Sequence, residues 1–173
     1  NCFNYMFYNA TKLIKAPELP ATTLATDCYQ HMFYLCTSLI SSPEFPATTL
    51  ATSCYNRMFM NCSGLTIVHE LPATTLQPSC YSSMFYGCTN LTAAPILPAM
   101  TLPDYCYNNM FQNCTSLKLS TTLTGIYDTA YRIPTTGTGA TNRALGDMFT
   151  GTGGTFTGTP DINTTYYTEN TPV

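Results

Sequence analysis

Nine cysteines, two histidines and nine acidic side chains carry most of the reactive chemistry available to this 173-residue chain. Eight of the cysteines fall in pairs eight residues apart: Cys28 with Cys36, Cys54 with Cys62, Cys80 with Cys88, and Cys106 with Cys114. On a helix that spacing spans roughly 12 Å at about 1.5 Å per residue, whereas a disulfide needs Cα atoms within about 7 Å. Bridges inside a pair are therefore excluded. Bridges between pairs stay open, but cysteine is also a common small core residue and the count is odd, so buried thiols are expected. Zinc is not expected, because no Cys-x-x-Cys pair or flanking histidine is present. His31 and His69 each stand alone and read as surface variation. Glu18, Glu44 and Glu70 are spaced by 26 residues, as are Tyr8, Tyr34, Met60 and Tyr86. Each set becomes a column if the chain is periodic.

It is periodic. Met-Phe recurs at Met6-Phe7, Met32-Phe33, Met58-Phe59, Met84-Phe85 and Met110-Phe111, in four successive steps of 26. Cys28, Tyr29, Met32, Phe33 and Cys36 lie at i, i+1, i+4, i+5 and i+8, which predicts the buried stripe of a short helix. The next-to-last slot of that stretch holds Asn9, Asn61, Gly87 and Asn113, types that accept the left-handed conformation ending a helix. Leu35 is the exception. Leu13, Leu39, Leu65, Leu91 and Leu117 then begin a short extended stretch. Pro17, Pro43 and Pro95 stop it, since proline cannot donate to a ladder stacked on both sides. The Pro-Ala-Thr-Thr-Leu segment turns the chain and returns Leu24, Leu50, Leu76 and Leu102 to the core. One such coil has too little apolar surface to offset its own conformational entropy, so the coils must stack into a quasi-one-dimensional solenoid.

The last unit departs from the pattern. Met148-Phe149 follows Met110-Phe111 by 38 residues, with a Gly- and Thr-rich insertion around Tyr131 to Gly139. Ala144 and Thr152 replace the two cysteines, as expected where a final coil faces water. The tail from Thr155 to Val173 is expected to add a closing strand. This divides the chain into residues 1–119, five tandem repeats with the first truncated, and residues 120–173, a divergent last repeat and cap. Because the chain starts mid-repeat at Asn1-Cys2-Phe3, further repeats are expected upstream. With 45% apolar and 9% charged residues and a net charge of -3, there is material for a core but no basic excess to neutralise phosphates, so nucleic acid is not an expected partner. No apolar run approaches the roughly 20 residues needed to span a bilayer, so no membrane insertion is expected in this segment.

Cys-Tyr-x-x-Met-Phe-x-x-Cys-Thr-Ser-Leu, followed by Leu-Pro-Ala-Thr-Thr-Leu, resembles the BspA-like (Treponema pallidum-type) leucine-rich repeats of bacterial surface proteins over roughly residues 1–119. Phe33, Cys36 and Leu39 and their equivalents match the aromatic, cysteine and leucine of that pattern, with Ala10 replacing the second cysteine of the first unit. The resemblance implies a right-handed leucine-rich-repeat solenoid, an α/β repeat with short stacked strands and short helices. It implies surface display and a role in adhesion or protein binding, and no catalytic residues. The segment Met148-Phe149-Thr150-Gly151-Thr152-Gly153-Gly154, with Asn163-Thr164-Thr165-Tyr166-Tyr167, resembles more loosely the ends of such proteins in gut bacteria and their phages. The host-binding part of a phage tail protein is therefore an alternative source.

Like charges at the roughly 5 Å spacing of stacked strands repel. The Glu18, Glu44 and Glu70 column therefore suggests either a site for a cation or basic partner or, the favoured reading, a solvated edge; Ile96 ends it. Tyr8, Tyr34, Met60 and Tyr86, followed by Gln112, form the preferred contact strip, since partly exposed aromatics can stack on sugar rings or anchor a protein. The competing reading has them cover the convex side or pack between coils. Leu19-Pro20-Ala21-Thr22-Thr23 resembles a sortase signal but lacks its final glycine and reads as turn chemistry. Asn9, Asn61, Asn90, Asn113 and Asn163 fit the N-glycosylation pattern, mostly for structural reasons. The sequence thus predicts a monomeric extracellular or cell-surface module that binds a host or neighbouring-cell protein or glycan and needs no cofactor or metal. A structural spacer is the second reading. An enzyme is a distant third, because a nucleophile, histidine and acid would have to break the repeat and converge, and no such set is evident in the sequence.

Overall fold

The computed structural model describes residues 3–133 and 143–169. Cys2, most of the Gly- and Thr-rich insertion and the last four residues lie outside them.

The expected short helices are not found among the described residues. Each predicted helix is instead a run of four-residue turns. In the second coil Asp27, His31 and Leu35 have φ of 56°, 56° and 63°. Ser53, Arg57 and Asn61 follow in the third, Ser79, Ser83 and Gly87 in the fourth, and Tyr105, Asn109 and Asn113 in the fifth. A left-handed residue at every fourth position cannot propagate a right-handed helix. Such residues cost about 1–2 kcal/mol each where a Cβ is present, and the hydrogen bonding explains why they are tolerated. The amides of Cys28, Gln30, Met32, Tyr34 and Cys36 donate within the coil, to the carbonyls of Ala25, Asp27, Tyr29, His31 and Phe33. The alternate amides, of Asp27, Tyr29, His31, Phe33 and Leu35, donate to Thr52, Cys54, Asn56, Met58 and Met60 of the next coil, at 2.9–3.1 Å. A helix would spend these amides on its own carbonyls four residues back, apart from those of its first turn. The turn ladder spends half of them on its neighbour, so secondary structure and stacking form together.

The ladder builds columns in the core. Phe7, Phe33, Phe59, Phe85, Phe111 and Phe149 stack with ring centroids 5.3–5.7 Å apart and planes within 10°. Phe3, Tyr29, Tyr55, Tyr81 and Tyr107 form a second column at 5.4–5.9 Å. The thiols of Cys36, Cys62, Cys88 and Cys114 donate to the carbonyls of Phe7, Phe33, Phe59 and Phe85 at 2.9–3.2 Å. The cysteine slot is thus a small core residue that also supplies a weak donor across coils.

The extended stretches are shorter than strands. Lys15 bridges Ser41, Ser41 bridges Ile67 and Thr49 bridges Thr75, all in parallel between residues 26 apart. Among the described residues, full strands occur only toward the C-terminal end: β1 Lys118–Ser120, β2 Tyr127–Arg132, β3 Gly153–Gly154 and β4 Thr165–Glu169, in the order β2-β4-β1-β3. β1 pairs with β3 in parallel and with β4 antiparallel. At β1 the slot held by proline in three other coils is Thr121, so the ladder is not stopped there.

The final coil does not face water. Its amides at Asp147, Phe149 and Gly151, which elsewhere would donate to a following coil, reach Thr159 Oγ1, the Gly158 carbonyl and Thr157 Oγ1 at 2.8–2.9 Å. Ala144, Met148 and Phe149 are fully buried beneath. Replacing the cysteines there therefore reflects closure by the chain's own tail rather than exposure.

Candidate binding surfaces

The turn ladder decides which side chains of a coil point inward, and the slot after Met-Phe is left at the surface. Tyr8 is 49% exposed, and Tyr34, Met60, Tyr86 and Gln112 are half-buried. Tyr8 and Tyr34 meet with centroids 5.4 Å apart. Tyr5, itself 48% exposed, packs edge-on to Tyr8 and stacks on His31 at 4.4 Å, and His31 lies 5.9 Å from Tyr34. The result is a four-ring cluster shared by two coils. Tyr86 is not part of it: Met60 intervenes in the strip, and the Tyr86 hydroxyl accepts a hydrogen bond from Asn113 Nδ2 at 3.0 Å.

His31 is a correction to the sequence reading. It is only 7% exposed, with its Nδ1 buried and unpartnered. Its pKa is lowered, first by burial and then by the charge of Arg57 one coil along. A neutral imidazole sandwiched against Tyr5 adds apolar ring surface to the cluster. Tyr5 and His31 share a left-handed turn position, which the sequence reading assigned to the interior of a helix and so overlooked.

Glu18, Glu44 and Glu70 are all exposed. Glu18 and Glu44 line a surface groove of about 470 Å³, with Lys15, Ser42, His69 and the rings of Pro17, Pro20, Pro43 and Pro46. Glu70 does not line it. No member of the tyrosine strip reaches this groove.

His69 does not stand alone either. Its Nε2 lies 3.4 Å from Glu44 Oε1 and its Nδ1 3.2 Å from Ser42 Oγ, while Ser42 Oγ accepts the His69 amide at 2.9 Å. The Ser42 hydroxyl has a single proton within reach of both His69 Nδ1 and the Pro43 carbonyl oxygen; when it donates to Nδ1, the same tautomer lets Nε2–H donate to the Glu44 carboxylate. A serine, a histidine and an acid therefore do converge, contrary to the sequence reading, and they do so where Ser42 and His69 replace the Ala16 and Pro17 type of other coils. The arrangement is not that of a nucleophile. Ser42 is 2% exposed, and its hydroxyl is engaged by the His69 amide, the His69 ring and, at 3.1 Å, the Pro43 carbonyl, so it serves as a structural link at the base of the groove. The proline-to-histidine change supplies the amide that Ser42 holds, and the trio locks two coils together and seats Glu44. The signal was available in the sequence as a paired break of the repeat, 27 residues apart.

The thiols are equally unsuited to nucleophilic work. Cys36, Cys54, Cys62, Cys80, Cys88, Cys106 and Cys114 are buried and form no disulfide. Burial raises the pKa of Cys80, Cys106 and Cys114 to about 12, and the thiolate is the reactive form. Among the described residues no group of three His, Cys, Asp or Glu side chains is arranged to hold a metal ion. Asn9, Asn61, Asn113 and Asn163 all have positive φ, so turn conformation accounts for asparagine at these positions of the glycosylation-like pattern.

Stacked coils joined by hydrogen bonds and columns of identical side chains place the chain among the solenoid repeat proteins. The match is to the family model for the BspA type leucine rich repeat region, in six copies over residues 2–134, and the chain belongs to that family. Neither curated proteins nor solved structures gave a match.

Proposed function

We propose that the chain is a non-catalytic, extracellular or cell-surface binding module that recognises a protein or glycan of a host or neighbouring cell. Proteins of the BspA type are typically surface adhesion and protein-binding modules, which supports the class. The observation that carries the reading is the ring cluster of Tyr5, Tyr8, His31 and Tyr34, presented on the outside of two adjacent coils. Tyrosines held by stacking lose little further side-chain freedom on binding, and each offers a ring face together with a hydroxyl. Met60 and Tyr86 extend the same strip at its edge. In this reading residues 1–119 form the right-handed repeat array, with its 26-residue step, and residues 120–173 close it. The protein works as a monomer and without a cofactor. Among the described residues no helix is long and apolar enough to cross a membrane.

The unbroken side-chain columns equally suit a rigid spacer, and one experiment separates the two. The protein is presented to a glycan array and to a panel of extracellular-matrix proteins beside the Tyr8→Ala, Tyr34→Ala double variant. Saturable binding that the variant loses supports recognition through the cluster; silence across both panels supports the spacer.

A further inference from the structure

The groove at Glu18 and Glu44 answers to a different ligand chemistry from the aromatic cluster. Its two carboxylates come from successive coils, and Glu70 continues the column one coil further. Glu18 makes no ion pair among the described residues, while Glu44 is held at one oxygen by His69 with its side chain still 80% exposed. Lys15 is the one cationic chain at the rim, so the groove and its continuation carry a negative balance. Proline rings line the same groove, and of these Pro17, Pro20 and Pro46 are exposed. A bare metal ion is poorly served by this lining, since no three ligating side chains gather there. A neutral sugar leaves the charge unused.

We propose that this groove binds an extended polypeptide segment carrying arginine or lysine. The aliphatic stem of such a side chain lies along the proline rings while its charged head reaches the carboxylates. Arginine is favoured, because its planar fork can donate to Glu18 and Glu44 together. His69 acts as a positioning residue, fixing the Glu44 carboxylate toward the groove. The volume of about 470 Å³ is within the range of about 300–1,000 Å³ found for ligand clefts. The inference rests on the reading of the chain as a binding module, but it uses a separate surface, so the two can fail independently.

The test is a fluorescence-anisotropy titration of the whole chain with labelled tetra-arginine and tetra-glutamine peptides at low ionic strength. The expected result is saturable binding of the arginine peptide alone, weakened about tenfold in the Glu18→Gln, Glu44→Gln variant. The Asp128→Asn, Asp161→Asn variant removes the same net charge elsewhere and should bind as the parent does. Equal loss in both variants would reduce the effect to net charge and overturn the proposal. So would binding of the glutamine peptide, or no saturable binding at all. In the Tyr8→Ala, Tyr34→Ala variant the peptide should still bind even if recognition of the glycan or matrix panel is gone.

Discussion

The central coils and the C-terminal closure solve the same problem with different materials. A coil such as that around Phe59 has its outgoing amides taken by the next coil, whose own ladder is an identical surface. Among the described residues no further coil meets the amides of the last one, and Thr157, Gly158 and Thr159 stand in for it, with β4 completing the sheet beside β1. The difference shows that a repeat buries its apolar columns by copying itself, whereas its end must imitate a copy using a non-repeating sequence. Stability should therefore be concentrated in the columns and be more local and more replaceable at the closure.

The largest contrast is expected from the aromatic column. Phe59 is fully buried between Phe33 and Phe85, so Phe59→Ala should lower the unfolding free energy by about 3–5 kcal/mol. Phe156 in the closure is only partly buried, and its replacement by alanine should cost visibly less in the same chemical denaturation series. If both cost the same, the columns are not where the stability resides.

Next in size is the junction of closure and array. Gly154 has a φ of 87°, and a Cβ there would lie 2.4 Å from the Leu119 carbonyl oxygen and 2.6 Å from its nitrogen. Gly154→Ala should cost about 1–3 kcal/mol and loosen β3 from β1, read as faster amide exchange in residues 118–120. Gly125→Ala, with nothing within 4 Å, should be neutral within about 0.5 kcal/mol. The smallest effect belongs to the turn ladder. Leu35 has φ of 63° in a slot held by asparagine or glycine in other coils, so Leu35→Asn should gain about 0.5 kcal/mol. A right-handed helical residue at this position would instead lose stability on the same change, whereas the left-handed helix end expected from the sequence would not.

That last distinction marks the limit of what the sequence disclosed. The Met-Phe step placed the columns, because a constant spacing brings like residues together whatever the local conformation. It did not identify the conformation: Cys28, Met32 and Cys36 recur at four residues, which suits a helix stripe and a four-residue turn equally well. The discriminating signal was the other residues at that step, and Asp27, Ser53, Ser79, Asn61, Gly87 and Asn113 are frequent among them while Leu35, Arg57 and Tyr105 blur it. The candidate surface was legible to the same degree. Tyr8 and Tyr34 meet as their column requires, but Tyr5 and His31 were hidden by the helical assignment, and Ser42 with His69 by reading each departure from the repeat separately instead of one coil apart.

Phe33 and Tyr34 put the central claim to its most direct test, since they are neighbours in sequence with opposite assignments, one to the core column and one to the surface cluster. Binding to a partner found on the glycan or matrix panel should be measured for Tyr34→Ala and Phe33→Ala together with the unfolding free energy of each. The account predicts that Tyr34→Ala loses binding while unfolding within about 1 kcal/mol of the parent, and that Phe33→Ala is destabilised by about 3–5 kcal/mol. Undiminished binding by Tyr34→Ala, or destabilisation of the two variants by equal amounts, would contradict it.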